Sequence, residues 1–142
     1  MVDNIDRKIN KHVMQLMENL RLFEESTRSS MHNLTPQEIH TIALIGVMDF
    51  PRMSQLAARG HVTRGAVTVM INKLAKKGYV KKVRDGKDRR VVHVTLTPKG
   101  ESVEREHKRY HAKTNKRLLA ELTKTEKLEI EKLLRKLAAA LS

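Results

Sequence analysis

The chain has 142 residues and a formal net charge of +13, with 29 Lys and Arg against 16 Asp and Glu, and no cysteine. That length fits one compact domain or two small lobes with a real core. The lack of cysteine excludes a disulfide framework, a thiol nucleophile and a cysteine zinc finger, and fits a reducing compartment. No apolar run approaches the ~18 residues of a membrane span, and the N-terminal MVDNIDRK lacks a signal peptide's apolar region. The expectation is a cytoplasmic protein with no membrane partner.

Along the chain, Ile5, Ile9, Val13, Leu16, Leu20 and Phe23 recur every three or four residues. This spacing predicts an amphipathic helix from an Asp3 cap to about Arg28. Ser26 to Asn33 reads as a linker. Thr35-Pro36-Gln37-Glu38 starts a second helix, with Thr35 and Glu38 as a capping box and Pro36 at the first helical position. It runs through Ile42 and Ile45 and stops before Pro51. Met53 to Arg59 is a short helix with Leu56 and Ala57 turned inward, and Gly60-His61-Val62 makes a turn. Thr63 then caps a helix reaching Lys77, with Ala66, Val67, Met70, Ile71 and Leu74 on its buried face. Thr63, Arg64, Gly65, Thr68, Val69, Asn72 and Lys73 face outward.

Two helices joined by a three-residue turn containing glycine form a helix-turn-helix. Gly78 is the glycine C-cap of the second helix. Tyr79 to Arg84 and Arg90 to Leu96 read as strands around the turn Asp85-Gly86-Lys87-Asp88, so this hairpin is a wing. Thr97-Pro98 opens a long helix. Thr123 and Glu126 form another capping box, starting a last helix with Ile130, Leu133, Leu134, Leu137 and Leu141 on one side. The fold class expected is mainly α with a small β wing. Residues 1–34 are a dimerisation helix and linker, 35–100 a winged helix-turn-helix, and 101–142 two C-terminal dimerisation helices.

The charge is concentrated. Twelve Lys and Arg stand against two acids between Arg59 and Lys99, a net +10, while the rest of the chain is only +3. A field of this kind selects a phosphate-rich partner, because each neutralised phosphate releases counterions.

The segments LTPQEIHTIALI, LAARGHVTRGAVTVMINKLAKKGYVKK and DGKDRRVVHVTLTPKG, in this order of elements, resemble the MarR family of bacterial transcription regulators over essentially the whole chain. IHTIALIG, DRRVVHVTLTPKG and HKRYH are most similar to the FabT-type repressors of fatty-acid biosynthesis. The resemblance implies a homodimer on a pseudo-palindromic double-stranded DNA operator, with the second helix of the motif in the major groove and the wing in the minor groove. Thr63, Arg64, Thr68, Asn72 and Lys73 then become candidates for base and phosphate contacts. Asn72 can bond an adenine edge and Arg64 a guanine edge, while the two threonines suit phosphates. Arg84, Lys87, Arg89 and Arg90 are the wing candidates, with Lys87 where family members usually carry arginine. Asp88 is expected to orient a neighbouring guanidinium.

The FabT likeness also implies acyl carrier protein bearing a long acyl chain as corepressor partner. Arg105, Lys108, Arg109, Lys113 and Arg117 are available for an acidic carrier, and Met17, Leu20, Leu44 and Met48 are guessed to lie near an acyl tunnel. An alternative is a zinc-responsive MarR-type repressor. Glu106, His107 and His111 give a metal-ligand spacing, with Glu24, Glu25, His32 and His40 as completing ligands. A second alternative is a nonspecific architectural nucleic-acid-binding protein, though two Phe and two Tyr make a poor stacking platform. With no GxSxG elbow, P-loop or paired-carboxylate constellation, no enzymatic activity and no cofactor are expected.

Overall fold

The computed structural model describes residues 3–27 and 33–140. It contains six helices and one antiparallel ribbon: α1 (Asn4–Thr27), α2 (Pro36–Met48), α3 (Met53–Arg59), α4 (Arg64–Lys76), β1 (Val80–Arg84), β2 (Val92–Leu96), α5 (Pro98–Leu118) and α6 (Lys124–Ala140). The chain divides into two compact units, Met1–Glu104 and Arg105–Ser142.

The local signals act as read. The backbone N–H of Glu38 donates to Thr35 Oγ1 at 3.2 Å and the N–H of Thr35 to Glu38 Oε2 at 2.7 Å. Thr123 and Glu126 close the same box on α6, at 2.8 and 3.3 Å. α4 ends with Gly78 at φ +80°. Its N–H reaches Ala75 O and the Tyr79 N–H reaches Leu74 O, both at 3.0 Å. This paired closure satisfies carbonyls that a helix end leaves open.

Within the first unit, Ile42, Ile45, Leu56, Ile71, Leu74, Val80, Val94 and Val103 form the buried core. Three differences from the sequence reading stand out. Ala66 is exposed and Met70 half-buried, because both line an open cavity of about 250 Å³ between α2, α3 and α4. The strands start later than Tyr79 and Arg90. Tyr79 gives its N–H to the end of α4, and Val91 gives its N–H to Asp88 O at 2.9 Å, which leaves a seven-residue loop between the strands. A third extended segment joins the ribbon: Arg52 bridges His93, and the Val94 N–H donates to Pro51 O at 2.9 Å. The turn Gly60-His61-Val62 forms as expected, with His61 at left-handed φ +50°.

The terminal helices keep their apolar stripes uncovered. On α1, Ile5, Ile9, Val13 and Leu16 are exposed; on α6 no residue is buried, and Leu133, Leu134 and Leu137 are 57 to 62% exposed. Arg28 to His32 and Leu141 lie outside the described residues.

Candidate nucleic-acid interface

The outward face of α4 is set at both ends. At its start, Thr63 Oγ1 accepts the Ala66 N–H at 3.2 Å, so that side chain caps the helix. Gly65 follows in open space; an added Cβ would meet only Thr63 Oγ1, at 3.9 Å. Nothing in the folded chain requires glycine there.

At its end, α4 is tied to the segment that opens α5. Thr97 Oγ1 donates to Gly78 O at 2.7 Å and caps the next helix by accepting the Gly100 N–H at 3.2 Å. Lys99 donates to Lys77 O at 3.0 Å, and its ammonium lies 4.2 Å from the centre of the Tyr79 ring. Gly100 sits so close to the turn that a Cβ would stand 2.1 Å from Tyr79 O. The TPKG signature therefore explains itself structurally, as the clamp on the end of α4.

Glu38 does more than cap. Its side chain is 0% exposed and its Oε1 accepts from Lys77 Nζ at 2.7 Å, with Lys73 Nζ at 3.3 Å. Burial alone would raise the carboxyl's pKa. Hydrogen bonds from Lys77, the Thr35 backbone and Lys73 outweigh it and hold the pKa at about 2. One carboxylate thus fixes the start of α2 to the last two turns of α4.

The sequence-predicted contacts divide accordingly. Arg64 is exposed at the first turn of α4. The Thr68 hydroxyl donates to Arg64 O at 2.9 Å, so its proton is spent within the helix and its oxygen can still accept. Lys73 is half-exposed and shares Glu38. Asn72 Oδ1 accepts from Lys82 Nζ on β1, at 2.7 Å. Two residues outside the sequence-predicted contacts join this face: Lys82, and Val69, which is 69% exposed on α4. Val69 was legible as outward-facing. Lys82 was not, because its partner lies ten residues away on another element.

In the wing, Arg84, Lys87, Arg89 and Arg90 are all exposed. Asp85 organises the tip: its Oδ1 accepts the N–H groups of Lys87 at 2.8 Å and Asp88 at 3.0 Å. Those two bonds lead the causes that lower its pKa, and His93 adds to them. Asp88 accepts the Arg90 N–H at 3.0 Å and meets the Arg90 guanidinium at 3.5 Å. That guanidinium is 95% exposed, so the pair orients it only weakly. His93, opposite Val83, braces the loop end of the ribbon. Its ring stacks on Phe50 with centroids 4.4 Å apart, Nδ1 is 3.0 Å from Phe50 O, and Nε2 is 3.4 Å from Asp85.

On α5, His107 and His111 bond to each other, Nε2 to Nε2, at 3.0 Å. Among the described residues no three His, Asp or Glu gather to hold a metal ion. The side chains of Glu24, Glu25 and His32 fall outside that description. Arg105, Lys108, Arg109, Lys113 and Arg117 are exposed. Of the residues guessed to lie near an acyl tunnel, only Leu44 lines the α2–α3–α4 cavity.

A winged helix-turn-helix with an exposed recognition helix and a basic wing defines the class, and comparison with known proteins places the chain within it. The MarR family profile matches residues 34–92. The Bacillus subtilis HTH-type transcriptional repressor MdtR is 30% identical over 107 residues, covering 75% of this chain and 69% of MdtR. The uncharacterised regulator YhjH of the same organism is 29% identical over 111 residues. The crystal structure of Streptococcus pneumoniae FabT in complex with DNA is similar with a TM-score of 0.89 and 33% identity, over 95% of this chain and 96% of FabT. A MarR family protein from Bacillus stearothermophilus shares the fold, with a TM-score of 0.87 at 18% identity.

The chain belongs to the MarR family. It spans 63% of the length of YhjH and 51% of the related regulator YkoM.

Proposed function

We propose that this chain is a homodimeric transcriptional regulator that binds a pseudo-palindromic operator. One observation carries the reading: an exposed α4 face, led by Arg64, Val69 and Asn72, stands beside a ribbon whose exposed cations include Arg84, Lys87, Arg89 and Arg90. α4 fits a major groove, and a two-fold dimer spaces two such helices by roughly 34 Å. The wing cations supply sequence-independent attraction to phosphates, with Lys87 at the tip entering the minor groove as a point charge and without arginine's planar fork.

The likeness to FabT supports a finer reading, a repressor of fatty-acid-biosynthesis genes with long-chain acyl carrier protein as corepressor. Arg105, Lys108, Arg109, Lys113 and Arg117, exposed cations of α5, are the surface we assign to the acidic carrier.

The test is selection of genomic fragments by the purified protein, repeated with long-chain acyl carrier protein and with zinc. Enrichment of fatty-acid genes, strengthened by the acylated carrier, is the expected result; unrelated loci with no response would remove the lipid reading. Lys87→Ala or Arg89→Ala should lower the log–log salt slope of binding by about 0.9 for each lost phosphate contact. An unchanged slope would take the wing out of the interface.

A further inference from the structure

We infer that Lys82 sets the base that Asn72 reads, turning this asparagine into a donor-only reader of guanine or thymine. The inference rests on the proposed DNA-binding role of α4 and adds a specificity determinant to it.

A carboxamide has one acceptor oxygen and one donor NH₂ group, whereas an ammonium only donates. The Asn72 atom 2.7 Å from Lys82 Nζ is therefore Oδ1, and the contact fixes which way the amide points. Oδ1 turns toward β1 and Nδ2 away from it. Bidentate adenine recognition needs both atoms at once, the oxygen accepting from N6 and the nitrogen donating to N7. With an ammonium beside the oxygen, adenine's own donor competes against a full positive charge for that acceptor. What remains for a base edge is the NH₂ group, which suits the paired acceptors O6 and N7 of guanine or O4 of thymine better than adenine, whose single acceptor N7 stands beside its own N6 donor.

The anchor for this arrangement is built into the fold. Lys82 lies in the paired part of β1, opposite Val94, whose side chain is fully buried. The preceding Val80 is also buried, so the strand is held at its base. One helical turn before Asn72, on the same side of α4, Val69 presents an aliphatic surface that suits the C5-methyl of thymine. Together they predict a half-site with thymine against Val69 and, next to it, guanine or thymine against Asn72.

The experiment uses the full-length protein and the operator that it selects, with each half-site position changed to all four bases and each thymine also changed to uracil. Wild type should disfavour adenine by roughly tenfold at one position, and Asn72→Ala should flatten the preference there. Lys82→Met, which keeps the stem and removes the ammonium, should move the same position toward adenine. Uracil at the neighbouring position should weaken wild type several-fold and leave Val69→Ala unaffected.

Adenine preferred by wild type at the position sensitive to Asn72 would overturn the inference while leaving DNA binding intact. So would a Lys82→Met protein that binds every base variant equally more weakly, the mark of a phosphate contact. Failure of wild type to select any sequence would instead overturn the operator-binding role, and this inference with it.

Discussion

The apolar residues of α2 to α4 and those of α1 and α6 follow the same spacing of three and four, yet they end in opposite environments. Ile42, Ile71 and Leu74 are fully buried within the winged unit, while the α6 stripe of Leu133, Leu134 and Leu137 stays more than half exposed. Periodicity identifies a helix with one apolar face; it does not say whether the same chain covers that face. The winged unit closes its own core. The terminal helices leave their apolar faces uncovered by their own chain, and helices in proteins draw most of their stability from packing such a face. A second copy of the chain would cover these faces, which is why the proposed dimer is assigned to α1 and α6.

The largest expected effect breaks that association. Leu134→Glu with Leu137→Glu places two charges on the exposed stripe of α6 and should convert the dimer to monomer at micromolar concentration, read by sedimentation equilibrium. The core around Ile71 and Leu74 should survive with its amide-exchange protection intact. A dimer that persists with both charges in place would move the interface away from α6.

Gly100→Ala strikes the opposite region. The new Cβ would stand 2.1 Å from Tyr79 O, a backbone atom that already accepts the Thr97 N–H at 3.0 Å. Neither can yield without opening the clamp on α4, so a loss of at least about 3 kcal/mol is expected in chemical denaturation. Gly86→Ala at the wing tip, with nothing within 4 Å of its Cβ, should change stability by less than about 0.5 kcal/mol. Equal losses at the two positions would mean that close packing at Tyr79 is not what requires glycine at 100.

Glu38 supplies a pH test of the same closed core. Its folded pKa of about 2 lies below the ordinary 4.5, so its stabilisation is complete above pH ~4.5 and is lost as pH falls toward 2. The linked free energy is about 3 kcal/mol. Glu38→Gln should be less stable at neutral pH, because Lys73 and Lys77 lose their shared anion, and its stability should fall less steeply between pH 5 and 2. Parallel acid-unfolding curves for the two proteins would assign the acid sensitivity to other carboxylates.

Glu38 also shows where sequence reading stops. Its capping role follows from the three-residue spacing to Thr35, as do the caps at Thr63 and Thr123 and the glycine closure at Gly78, since each is an interaction within four or five residues. Its pairing with Lys77 spans thirty-nine residues, and the Phe50–His93 bond forty-three. No local spacing encodes such pairs; they exist only once the helices have packed. The same limit applies at the interface. Arg64 and Asn72 were readable as outward and the wing as basic, but the bond that joins Asn72 to Lys82 needed the ribbon laid beside the helix. The third extended segment at Arg52 was hidden for a related reason: a single bridge leaves no alternating pattern.

The smallest effect concerns the turn between α3 and α4. His61 occupies the left-handed position that closes α3, at φ +50°, with its N–H reaching Ala58 O at 3.3 Å and the Val62 N–H reaching Ala57 O at 3.1 Å. A side chain at such φ costs roughly 1 kcal/mol relative to glycine, and the exposed imidazole offsets little of this. Glycine adds freedom to the unfolded chain, which opposes the gain. His61→Gly should therefore stabilise the winged unit by about 0.5 kcal/mol, a rise of a few degrees in melting temperature. Because the turn lies outside the association surface, the gain should persist in the monomer made by the paired α6 substitutions. A gain confined to the dimer would show that the turn and the terminal helices are coupled, and that the winged unit is less self-sufficient than its closed core implies.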